Sequence, residues 1–150
     1  MLETGATLPA VTLADDTGTE RSTSDLLGSP LVVYFYPKDD TPGCTNEATQ
    51  FRDLWEQFDK KNARIVGVSR DSVASHRRFK TKYDIPFTLL ADVDSMLCDA
   101  FDVIVEKNMY GKKSKGIARS TFLFDAAGKL VHVWPKVSVE GHAEDVLSKI

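Results

Sequence analysis

Cys44 follows Thr41 by three residues and Pro37 by seven, in the run YFYPKDDTPGCTNEATQF. Proline, threonine, glycine and cysteine in that order place a thiol just after a strand end, in the first turn of a helix. Thr41 is expected to cap the helix, with Pro42 at its first position, where a missing N–H costs nothing, and Cys44 at its third. Backbone N–H groups there lack partners, and the positive end of the helix dipole favours a thiolate. A thiol of pKa about 8.5 is only ~3% ionised at pH 7, against ~90% for one near 6, so the address alone supplies roughly thirtyfold more nucleophile. The threonine hydroxyl both donates and accepts, which suits an oxygen bearing a proton and a lone pair. A buried, inert cysteine is the competing reading.

Other thiol chemistries ask for different residues. A cysteine hydrolase needs a histidine base, and none of His76, His132 and His142 lies in a local motif that marks it as one, although folding can bring one near. A Cys-x-x-Cys dithiol is excluded because position 47 is Glu47.

The elements that position Cys44 follow from periodicity. Leu31–Tyr36 is β-branched and aromatic without alternation, as in a strand buried on both faces. The helix after it carries Cys44, Ala48, Phe51, Trp55 and Phe58 on one face. Arg64–Ser69 predicts a second central strand, and a helix with Val73, His76, Phe79 and Tyr83 follows, capped by Asp71 or Ser72; the order makes a βαβ crossover. Phe87–Leu90 predicts a short strand, then an Asp94-capped helix with Leu97, Cys98 and Phe101. Arg119–Phe124 and Leu130–Trp134 flank the turn Asp125-Ala126-Ala127-Gly128, and Glu140–Ile150 closes the chain as a helix. Pro9–Leu13 runs into Asp15-Asp16-Thr17-Gly18, an N-terminal β-hairpin. The sum is α/β: a central mixed sheet with helices on both faces.

The chain has 150 residues, the length of a single domain over 1–150, with 22 acidic against 19 basic residues. A net charge of −3, with basic clusters no longer than Lys112-Lys113 and Lys115, argues against nucleic acid. The start Met1-Leu2-Glu3-Thr4-Gly5 has neither a basic lead nor an apolar stretch, so a soluble, cytoplasmic protein is expected, with no membrane partner. Two cysteines in an ordinary composition suggest catalysis, redox activity or burial more than a staple.

The pattern Pro37-x-x-x-Thr41-x-x-Cys44 resembles the active-site signature of the peroxiredoxins, and YFYPKDDTPGCTNEA is similar to their bacterioferritin comigratory protein, or Q-type, branch. FTLLADVDSMLCDAFDV and GIARSTFLFDAAGKL resemble the same branch, so the likeness covers most of the chain. It implies a thioredoxin-like fold and a peroxidase acting on hydrogen peroxide and organic hydroperoxides without a cofactor. It also implies Cys44 as peroxidatic cysteine, with Thr41, Pro37 and Arg119 beside it, and a monomer, as members of this branch often are. The chemistry agrees: attack on one peroxide oxygen pushes charge onto the other, which Arg119, Thr41 and the N–H groups of Gly43 and Cys44 would meet. Pro37 would shield the sulfur. The product would be a sulfenic acid.

The chain departs from that branch in its second cysteine. Many members carry a resolving cysteine five residues after the peroxidatic one, where Thr49 stands, and others carry it in the helix after the second core strand, here SVASHRRFKTKY. Cys98 is the remaining candidate, and its apolar neighbours give it a structural reading. A one-cysteine cycle is expected, reduced by thioredoxin, glutaredoxin or a small thiol; a cycle resolved by Cys98, or a redox relay to a partner protein, is the alternative. Glu47 reads either as part of the active-site network or as a solvated first-turn glutamate. Trp55 and Trp134 read as core or near-core aromatics. His132 and His142 lack metal-ligand spacing, Asp92 and Asp94 fit a turn and a helix cap, and no metal is expected.

Overall fold

The computed structural model describes the backbone of residues 1–150 and every side chain except that of Met109. Strands β1 (Thr12–Asp15), β2 (Glu20–Ser22), β3 (Leu31–Phe35), β4 (Arg64–Ser69), β5 (Thr88–Ala91), β8 (Ser120–Phe124) and β9 (Leu130–Trp134) form one seven-stranded sheet in the order β2-β1-β5-β4-β3-β8-β9. β3, β4 and β5 run parallel, as βαβ crossovers require, while β1 and β8 flank them antiparallel. The remaining strands, β6 (Ile104–Met109) and β7 (Lys112–Ile117), pair only with each other.

Helices cover both faces, and β3 shows how the two cores divide. Leu31, Val33 and Phe35 face a core with α4 (Met96–Phe101), including Leu97, Cys98 and Phe101. Val32, Tyr34 and Tyr36 face the other, which holds residues of α1 (Pro42–Asp53), α2 (Trp55–Lys60), α3 (Val73–Tyr83) and α5 (His142–Ser148). An apolar side chain buried completely on either side is worth roughly 1.5–3 kcal/mol, so each face holds its helices by contact area. Gly67 permits one close approach: a Cβ there would lie 2.9 Å from both the Tyr34 hydroxyl and Leu89.

Several predicted details change. Thr41 occupies the N-cap position, but its hydroxyl donates to the Lys38 carbonyl at 2.8 Å instead of capping the helix. The long helix after β3 breaks at Leu54 into α1 and α2. Ser72 caps α3, accepting from the Ser75 N–H. The predicted Asp94 cap of α4 is replaced by Asp92, whose carboxylate accepts from the N–H groups of Leu97 and Cys98 at 3.0 and 2.7 Å. The β6–β7 hairpin has no counterpart in the periodicity reading. No helix is long and apolar enough to cross a membrane among the described residues.

Candidate active site

Three chain segments meet where β3 ends. Pro37 breaks the strand after Tyr36, the loop to Thr41 turns through Asp40 at φ +56°, and Pro42 opens α1. The antiparallel register sets Phe35 opposite Ser120, which brings Arg119, one residue earlier, to the same end of the sheet. Cys44, at the third position of α1, lies against this junction and is only 2% exposed.

Arg119 joins the segments. Its Nη2 donates to Cys44 Sγ at 3.3 Å and its Nη1 to Glu47 Oε1 at 2.8 Å. The guanidinium therefore forks between the sulfur and a carboxylate one helical turn further on. Thr45 N–H closes the first helical bond to the Thr41 carbonyl, whereas the N–H groups of Gly43 and Cys44 have no acceptor among the described residues. Because the Thr41 hydroxyl spends its proton on Lys38, its lone pairs remain to accept one. Pro37 is half-buried at the loop entrance.

Glu47 is the residue the sequence left undecided, and it is buried at 1% exposure. Burial pushes its carboxyl up to about 7, with Arg119 pulling in the opposite direction. Its Oε2 has no hydrogen-bond partner among the described residues. Interaction with the Glu47 and Cys44 charges overcomes burial of the Arg119 guanidinium and raises its pKa further, so it stays charged.

Two other clusters flank the junction. His142 is buried beside Thr121, with Nε2 and the hydroxyl 2.8 Å apart. Burial and the nearby Arg119 charge lower its pKa to about 4 against the pull of Asp145, so it carries no charge at neutral pH. Asp39, Asp71 and His76 place ligand-type atoms within 4.8 Å of one another, the spacing of a metal site. Their polar atoms are already engaged by Tyr36, Ser69, Ser75, the Asp39 N–H and the Leu90 carbonyl, which describes a closed hydrogen-bond network. Of the predicted site residues, Gly43, Cys44 and Arg119 come together, with Thr41 at the N-cap of the same helix and Pro37 in the loop before it. Cys98 does not: it packs at 0% exposure in the core on the opposite face of the sheet. Burial, together with the Asp92 carboxylate, pushes its thiol far up, away from reactivity.

Residues 4–133 match the AhpC/TSA family. The chain is 50% identical over 149 residues to the putative peroxiredoxin bcp of Coxiella burnetii, covering 99% of both chains. It is 52% identical to the peroxiredoxin Bcp of Xanthomonas campestris over 147 residues, 95% of this chain and 92% of the other. Among solved structures, a PrxQ mutant from Xylella fastidiosa superposes with a TM-score of 0.93 at 45% identity, covering 99% of this chain and 95% of that one. The Xanthomonas campestris bacterioferritin comigratory protein, studied for alkyl peroxide reduction, superposes with a TM-score of 0.89 at 51% identity over 93% and 88% of the two chains.

Proposed function

This chain belongs to the AhpC/TSA family and is a peroxiredoxin, a thiol-dependent peroxidase, and on that premise we propose that Cys44 is the sulfur that attacks the peroxide. The observation that carries the assignment is the Arg119 fork, which spans Cys44 Sγ and Glu47 at the open end of α1.

The cycle balances as follows. The Cys44 thiolate attacks the hydroxyl oxygen of ROOH; an S–O bond forms, the O–O bond breaks, and that oxygen keeps its hydrogen as a sulfenic acid. The departing RO⁻ takes a proton from solvent and leaves as an alcohol, or as water when the substrate is hydrogen peroxide. Arg119 holds the thiolate and meets the charge that grows along the O–O axis. The Thr41 hydroxyl oxygen accepts a hydrogen bond from the hydroperoxide O–H, and the N–H groups of Gly43 and Cys44 complete the cradle. Pro37, with no N–H to offer, limits water near the sulfur. Organic hydroperoxides as well as hydrogen peroxide are the proposed substrates, by likeness to the Xanthomonas protein.

Regeneration uses external thiols. One thiol displaces hydroxide from sulfur to give a mixed disulfide and water, and a second releases Cys44 with formation of a disulfide of the reductant. Thioredoxin, glutaredoxin and small thiols are the proposed donors. The position of Cys98 across the sheet supports a one-cysteine cycle, because a bridge needs Cα atoms within about 7 Å. Peroxide consumption measured in Cys44→Ser tests the assignment: consumption is abolished if Cys44 is peroxidatic, and retained consumption contradicts it.

A further inference from the structure

β6 and β7 pair with each other and not with the seven-stranded sheet, and β7 is exposed from Lys112 to Lys115. A two-stranded ribbon is marginal by itself, so its root is held. Ile117 is buried in the core that contains Cys98, the Ala118 N–H donates to the Val103 carbonyl at 2.8 Å, and Arg70, just past β4, donates to the Lys115 carbonyl at 3.3 Å. Tyr110 and Gly111 close the hairpin with φ of +54° and +77°, the two-residue turn whose twist matches paired strands. The Tyr110 side chain is 100% exposed, so it contributes nothing to packing.

The hairpin is also cationic. Lys107, Lys112, Lys113 and Lys115 lie on it against one acid, Glu106, in a chain of net charge −3. The register sets Lys107 opposite Ser114, Lys113 opposite Asn108 and Lys115 opposite Glu106, so these cations meet no like charge directly across the ladder. Lys115 is offset further by Asp99 and Asp102, which line the same surface pocket. Among the described residues, Lys113 reaches Glu106 only at 3.8 Å with both side chains exposed, while Lys107 and Lys112 pair with no carboxylate. The unbalanced charge therefore collects toward the turn, beside Tyr110. β7 leads through Ile117 and Ala118 into Arg119, so at most about 14 Å of backbone separates Lys115 from the residue that donates to Cys44 Sγ.

We propose that the β6–β7 hairpin is the docking arm for the protein that reduces oxidised Cys44, and that this partner is a small dithiol protein of net negative charge. Lys107, Lys112 and Lys113 steer the acidic partner to this end of the molecule, and Tyr110 supplies the contact, as an aromatic ring among rim charges does in other interfaces. Once docked, the partner's first thiol displaces the hydroxyl of the Cys44 sulfenic acid as water and forms a mixed disulfide. Its second thiol then displaces Cys44, and the partner leaves as a disulfide carrying the oxidation away. A small neutral thiol gains nothing from the lysines. Glu106, Asp99 and Asp102 beside the same ribbon disfavour a polyanionic surface such as a lipid bilayer, whereas a protein can place its own cations against them.

This role rests on Cys44 as the peroxidatic sulfur reduced by an external thiol, and the two ideas fail differently. Peroxide-oxidised protein is reduced either by a pre-reduced bacterial thioredoxin of net negative charge or by dithiothreitol, and oxidation by hydrogen peroxide is timed separately. The variants are the double reversal Lys112→Glu with Lys113→Glu, Tyr110→Ser, and the control reversal Lys60→Glu with Lys149→Glu, which makes the same change of net charge at exposed sites outside the hairpin. In the hairpin reversal kcat/KM for thioredoxin falls by about tenfold at low ionic strength through KM, and the deficit closes in 0.5 M sodium chloride. Tyr110→Ser raises the same KM severalfold with little dependence on salt. Oxidation by peroxide and reduction by dithiothreitol stay at the wild-type rates in every variant, and the control keeps the wild-type KM. A thioredoxin KM that ignores the hairpin reversal, one that responds equally to the control, or a parallel loss with dithiothreitol overturns the docking arm. Sulfenic acid that dithiothreitol reduces and thioredoxin does not overturns it too, as does hairpin-dependent binding to phosphatidylglycerol vesicles with unchanged thioredoxin kinetics. Peroxide consumption that survives in Cys44→Ser removes the peroxidatic assignment instead.

Discussion

A methyl group placed on Gly43 would meet Arg119 Nη2 at 3.1 Å, so the glycine leaves room for the guanidinium to reach sulfur. Because Arg119 is pinned at both forks, Gly43→Ala is expected to displace it from Cys44 and slow peroxide attack severalfold, with little change in melting temperature. Stopped-flow oxidation beside a thermal melt checks this. Arg119→Met removes the donor outright and is expected to cost about 100-fold or more, the scale for losing a preorganised donor to developing charge. Glu47 predicts a pH dependence. Its folded pKa of about 7 lies above its ordinary 4.5, so between those values the folded protein keeps a proton that the unfolded chain has released. The associated stability is present in full below 4.5 and is lost as pH rises through 7. Urea unfolding across pH 4.5–8 should show Glu47→Gln gaining on wild type as pH rises, by up to about 3 kcal/mol. The grouping of Pro37, Thr41 and Cys44 between a strand end and a helix start was legible because it is local. Glu47 was undecided because its partner Arg119 lies 72 residues away in the chain.

At the scale of elements, apolar periodicity was a good guide to strands buried on both faces and a poor one to ends and exposed pieces. β3 and β4 match their predicted runs within a residue, since every position but Arg64 is buried. β6 and β7 escaped because Lys112, Lys113, Ser114 and Lys115 are exposed and show no apolar alternation. Caps were misread when a side chain had a better local acceptor, as with Thr41, or when a carboxylate a few residues earlier did the work, as with Asp92. Asp92 is buried and satisfies two buried N–H groups, so Asp92→Ala is expected to cost about 1–3 kcal/mol in denaturant unfolding while the peroxide rate holds. The first hairpin has an acid limit. Burial works to raise the Asp15 pKa, but hydrogen bonds from Thr17, Arg21 and Thr19 outweigh it and hold the carboxyl at about 2. That stability is present above the ordinary 3.8 and disappears as pH falls toward 2.

Across the whole molecule the sheet separates the two cysteines. Cys44 gathers with Arg119 and Glu47 about α1, whereas Cys98 packs with Leu97, Phe101 and Phe122 on the far side. The sequence indicated the apolar setting of Cys98 but not the face, which depends on strand order. His142 adds an acid sensitivity: its folded pKa near 4 lies below the ordinary 6.5, so the unfolded chain takes up a proton first and stability falls as pH drops from 6.5 toward 4. Cys98→Ser changes a side chain across the sheet from Cys44 and is expected to leave the rate of peroxide attack unchanged. The most direct test of the account is intact-mass analysis after one equivalent of hydrogen peroxide, with and without a sulfenic-acid trap, followed by peptide mapping. The account predicts one added oxygen or trap adduct on Cys44, with Cys98 still a thiol. A protein lighter by two hydrogens, mapping to a Cys44–Cys98 disulfide, would contradict it.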